Sequence, residues 1–92
     1  MWYAFLTTRG GPTRACIVKH IMTKPQNANQ LAKITELDYK TVQHHLEFLK
    51  KNHIIVTIGE SKYGAAYVLT EEVEEHKDVL EEIFKKIELI RV

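Results

Sequence analysis

Lys40, Gln43 and His44 fall within a little over one helical turn, so a helix through them carries an ammonium, an amide and an imidazole on one surface. Those groups suit the edges of base pairs. Gln43 can pair with adenine N6 and N7 together, Lys40 can reach guanine acceptors or a phosphate, and His44 can donate to either. Tyr39 and Thr41 beside them suit phosphate oxygens, contacts that position a protein on a duplex without reading its sequence. Catalytic patterns are missing. The chain has no nucleophile–base–orienter set, no glycine-rich phosphate loop and no metal-ligand spacing, and His20, His44, His45, His53 and His76 are scattered. The expected task is binding, not enzymatic chemistry, with no cofactor and no metal.

These residues need a rod to hold them. At 100° per residue, Leu46 and Leu49 project within about 40° of Val42, with Tyr39 and His45 at the margins. Lys40, His44, Glu47 and Lys51 project opposite, and Thr41 and Gln43 lie on the flanks. The spacing therefore predicts a helix over 39–52 with an apolar inner face and a polar outer one. Asp38 is placed to cap it by accepting first-turn amides. His45 reads as a structural histidine at the edge of the core.

Neighbouring segments supply the frame. Gly10-Gly11-Pro12-Thr13 is a break followed by a helix start, and Arg14 to Lys24 reads as a first helix with Ile17, Val18, Ile21 and Met22 as its stripe. The single Cys16 reads as a small buried hydrophobe on that helix. Pro25 stops it. Asn27-Ala28-Asn29-Gln30 has the form of a capping box, opening a second helix to about Leu37 with Leu31 and Ile34 inward. The amides of Asn29 and Gln30 at its start are candidate phosphate contacts. The short joint before Asp38 forces a sharp angle between the second and third helices.

After Asn52 the pattern turns extended. Ile54 to Ile58 and Ala65 to Leu69 read as two strands around a loop, 59–64, bracketed by Gly59 and Gly64. Lys62 at its tip would meet a DNA backbone or enter the minor groove, with Ser61 and Tyr63 as helpers. The order helix, helix, helix, hairpin is that of an α+β winged helix-turn-helix.

Thr70 then caps a last helix. Val73, His76, Leu80, Ile83, Ile87 and Ile90 repeat at alternating steps of three and four, widened by Val79 and Phe84. One helix can bury a single stripe on its own domain, but a stripe that long on a domain this small is expected instead to pair with a second copy, making Val73, His76, Leu80, Ile83, Phe84, Ile87 and Ile90 the dimer interface. The whole chain, 1–92, reads as one domain, with 9–69 the winged-helix body and 70–92 a C-terminal dimerisation helix.

Charge follows the same division. Residues 1–69 carry nine Lys or Arg against four acids, and residues 70–92 carry four against eight, so a net +1 hides +5 and −4. A basic body with an acidic end offers one side to a polyanion. The apolar start, Met1 to Leu6, is too short for a signal peptide and lacks a basic beginning, and a cytoplasmic protein with no membrane contact is expected.

The strings Asn27-Ala28-Asn29-Gln30-Leu31-Ala32 and Leu37-Asp38-Tyr39-Lys40-Thr41-Val42-Gln43-His44-His45-Leu46 are similar to those of a known group. With Arg9 to Ala15 and Tyr63-Gly64-Ala65, the chain resembles the archaeal branch of the ArsR-like winged-helix transcriptional regulators over about residues 9 to 70. The resemblance implies a homodimer bound to double-stranded DNA through Tyr39, Lys40, Thr41, Gln43, His44 and the wing. One departure is informative. Metal-sensing members carry a cysteine pair where this chain has Asp38-Tyr39-Lys40, so thiolate sensing is not expected, and Glu72, His76 and Asp78 only loosely echo the zinc ligands of other members. The competing reading is a winged-helix adaptor that docks a protein through its acidic last helix and binds no specific DNA.

Overall fold

The computed structural model of the chain describes Phe5, residues 9–59 and residues 64–91, with side chains as far as Ile87. Helix α1 spans Gly11–Thr23, α2 Ala28–Thr35 and α3 Tyr39–Lys51. Strands β1, Ile55–Ile58, and β2, Ala66–Leu69, follow, and then α4, Glu71–Glu75, and α5, Lys77–Arg91. The architecture is a winged helix-turn-helix.

Each helix begins where its capping chemistry sits. Pro12 occupies the first turn of α1. In α2 the Asn27 side chain accepts from the Gln30 amide at 2.8 Å while Gln30 Oε1 accepts from the Asn27 amide at 2.9 Å, a reciprocal box. Asp38 caps α3 and Thr70 caps α4. Helix α2 ends at Thr35 because Glu36 adopts a left-handed conformation, φ 58°, so the turn into α3 is made by Glu36, Leu37 and Asp38. Gly59 and Gly64, which flank the hairpin loop, have φ of 70° and 92°, values that favour glycine.

The core is continuous. Ile17 and Val18 of α1, Leu31 of α2, and Val42, Leu46 and Leu49 of α3 are fully buried, joined by Ile54, Ile55 and Leu69 from the hairpin side. The strands pair antiparallel with Ile55 opposite Leu69 and Ile58 opposite Ala66. The hairpin is tied down at two places. The Tyr67 amide donates to the Gln26 carbonyl at 2.9 Å, joining β2 to the α1–α2 link, and the Thr70 hydroxyl donates to the His53 carbonyl at 2.9 Å.

Three expectations are corrected. Ile34 is half-exposed, not inward. The two-turn α2 buries Ala28 and Leu31 and half-buries Thr35, whose hydroxyl donates to the Leu31 carbonyl, so Ile34 is left on the rim. Cys16 is exposed, because it lies about 100° round α1 from Ile17, on the side of Thr23.

The third correction concerns the last helix. It is not one rod: His76 leaves helical geometry at φ −118°, ψ 36°, and is exposed at the joint between α4 and α5, which the Lys77–Glu74 ion pair spans at 2.6 Å. Val73, Leu80, Ile83, Phe84 and Ile87 are not an open seam. All five are buried in the chain's own core, and the ring of Phe5 stands edge-on to Phe84 at 6.0 Å. The bend at His76 lets both short helices turn their apolar sides to the body. The side chain of Ile90 lies outside the described residues.

Candidate nucleic-acid interface

Helix α3 has the two faces its spacing requires. Val42, Leu46 and Leu49 have no exposed surface, while Lys40, Gln43, His44, Glu47, Lys50 and Lys51 are exposed and Tyr39 is 44% exposed. The burial of one face is what holds the other outward. Each fully buried aliphatic side chain contributes about 1.5–3 kcal/mol, so rotating the helix to hide Lys40 or Gln43 would forfeit several such contributions.

The start of α3 is tightly organised. Asp38 Oδ1 accepts from the Thr41 amide at 2.9 Å and Oδ2 from the Thr41 hydroxyl at 2.7 Å. These two bonds, the amide first, hold the Asp38 carboxyl below its usual range. The Thr41 hydroxyl proton is thus committed to the cap. Gln43 Nε2 donates to the Tyr39 hydroxyl oxygen at 2.9 Å, so two of the residues expected to touch DNA hold each other. At the start of α2, Asn29 and Gln30 are exposed, and the Gln30 amide belongs to the cap. The first-turn amides with no partner inside the helix are those of Ala28 and Asn29.

Behind this surface lies a group that the spacing did not reveal. Arg14, counted with the basic body, is 5% exposed. Its guanidinium carbon stands 4.0 Å from the Phe48 ring centroid, and Nη1 is 3.2 Å from His45 Nδ1. His45 is half-buried, as its edge position implied. Burial first, and then the charges of Arg14 and His44, push its pKa below the ordinary 6.5. A Cβ on Gly10 would come within 2.6 Å of Arg14 Nη1 and 2.9 Å of His45 Cε1, so the glycine makes room for the pair. The position of Arg14, three and four residues before Ile17 and Val18, is the signal that could have placed it on the buried side of α1.

Gln26 and Tyr67 were also missed. Gln26, 3% exposed, donates through Nε2 to the His20 carbonyl at 2.6 Å. Tyr67 is half-buried against the core, and its phenol is pushed above its ordinary value by burial first, then by the charges of Glu47 and Tyr39. Lys62 and its neighbours Ser61 and Tyr63 lie outside the described residues. Among the described residues no three His, Cys, Asp or Glu side chains cluster to hold a metal ion, and no helix is long and apolar enough to cross a membrane.

This chain is similar to known proteins in two respects. Residues 11–55 match the family model described as bacterial regulatory protein, arsR family. The fold matches the solution structure of the homodimeric winged helix-turn-helix DNA-binding domain, fragment 1–100, of a possible ArsR-family transcriptional regulator from Mycobacterium bovis. That match has a TM-score of 0.61 at 15% identity and spans 85% of this chain and 66% of that one. Among curated proteins none matches the chain.

Proposed function

We propose that the chain is a sequence-specific, double-stranded DNA-binding transcriptional regulator of the archaeal ArsR-like kind, acting in the cytoplasm as a homodimer. Helix α3 enters the major groove, Lys40, Gln43 and His44 meet base edges, and the loop 59–64 rests on the backbone or in the minor groove. The observation that carries this reading is the exposed polar face of α3 above a wholly buried Val42–Leu46–Leu49 face, within a segment that matches the arsR family. Tyr39 and the first-turn amides of α2 take phosphates.

The dimer is proposed from the neighbour's description as homodimeric and from the C-terminal helix. Because Val73, Leu80, Ile83, Phe84 and Ile87 are buried in one chain, they act by fixing α4 and α5 to the body. A second copy then meets the outer side of this helical pair, and two α3 helices about 34 Å apart address successive turns of one DNA face.

The test is fluorescence anisotropy or gel shift with fragments of the source genome. Lys40→Ala and Gln43→Ala are expected to weaken specific binding about five- to a hundredfold, the range of a lost base contact, with unchanged circular dichroism. Absence of DNA binding even at low salt would contradict the proposal. A second reading has one observation behind it. Val56 and Ile58, 43% and 46% exposed on the same side of β1, give the hairpin an apolar outer face suited to a protein partner.

A further inference from the structure

We infer that Tyr39 is a specificity-determining positioning residue that restricts Gln43 to adenine. This rests on the reading that α3 lies in the major groove. Tyr39 and Gln43 are four residues apart, so their side chains meet along one side of the helix. The bond runs from Gln43 Nε2 to the phenol oxygen, at 2.9 Å, on a surface where both residues are exposed.

An unheld glutamine amide offers two N–H donors and one carbonyl acceptor. It can turn its carbonyl and one N–H to adenine, which shows N6–H and N7 in the major groove. It can also turn both N–H groups toward guanine, which shows the two acceptors N7 and O6. The phenol oxygen of Tyr39 removes the second option. With one N–H engaged, Gln43 keeps one donor and the carbonyl, the pair that complements adenine and sets a carbonyl against guanine O6. The same bond fixes the amide before DNA arrives, so less side-chain freedom is lost on binding. The phenol proton stays available for a phosphate oxygen, which would couple the backbone contact to the base contact.

The experiment measures binding of the intact chain to its best DNA site and to the three substitutions of each base pair in a half-site. Native protein, Tyr39→Phe and Gln43→Ala are compared, with thermal melts confirming that each variant is folded. The native chain is expected to prefer adenine over guanine at one position per half-site about tenfold or more. Gln43→Ala removes that preference. Tyr39→Phe weakens binding to every site through the lost phosphate contact and, beyond that, reduces the adenine-to-guanine ratio to about threefold or less at that position alone. If Tyr39→Phe weakens all four bases equally, the hydroxyl is a phosphate contact only and the inference is overturned, while the function stands. If Gln43→Ala leaves the preference intact, Gln43 does not read that base and the inference is likewise overturned. If the native chain shows no base preference anywhere, the proposed function fails with it.

Discussion

Arg14 Nη1 sits 3.2 Å from Nδ1 of His45, tying α1 to the helix that carries the candidate readers. A guanidinium only donates, so His45 accepts at Nδ1, carries its proton on Nε2 and is neutral in the fold. A second proton would replace an acceptor by a cation facing a buried cation.

A pH dependence follows from this pair. The folded pKa of His45 is depressed below 6.5, so its contribution to stability is complete above 6.5 and is lost as pH falls through the folded value. In that window the unfolded chain binds more protons than the folded one. Thermal melts from pH 7.5 to 5 are expected to show a falling Tm, flattened in His45→Gln, whose amide oxygen can still accept from Arg14. An equal slope in the variant would assign the effect to other groups.

Gly11 is expected to resist any side chain. A Cβ there would stand 1.9 Å from the Phe5 carbonyl oxygen, a backbone atom that cannot swing away, whereas one at Gly10 meets only side-chain ends. Urea denaturation should show Gly11→Ala less stable by about 1–3 kcal/mol, the usual range for forced overpacking, and Gly10→Ala less affected. Equal effects would contradict the placement of Phe5 against α1.

The burial of Ile83 separates core from interface. Ile83→Val is expected to lower stability by about 0.5–1.5 kcal/mol. Because Ile83 is buried within one chain, the loss in Tm should be the same at low and high protein concentration. A loss that vanishes at high concentration would place Ile83 between two chains.

Lys40 is expected to act partly through charge. In a plot of log affinity against log salt, Lys40→Ala should reduce the slope by about one if its ammonium neutralises one phosphate. An unchanged slope with reduced specific affinity would assign it to bases alone.

Much of the site could be read from the chain because its causes are local. Asn27 with Gln30, Asp38 and Thr70 each announce a helix start by a side chain that reaches only three residues on. The two faces of α3 follow from a 3.6-residue period. What escaped depends on distant partners. Gln26 is buried because Tyr67, far along the chain, bridges to it, and Arg14 because Phe48 and His45 cover it. Val73 to Ile87 show the limit in another form. Their spacing announces an apolar stripe but not what covers it, and the bend at His76 turns it onto the chain's own core. Glu36 in a left-handed conformation carries no residue signature, since glycine is the usual occupant.

The most direct measurement is an NMR titration of the isotope-labelled chain with a double-stranded DNA fragment that it binds. Amide and side-chain resonances of Tyr39, Lys40, Gln43 and His44 are expected to shift first and furthest, with Leu46, Leu49 and Leu80 little changed. Shifts confined to α4 and α5 or to the hairpin, with the outer face of α3 silent, would contradict it.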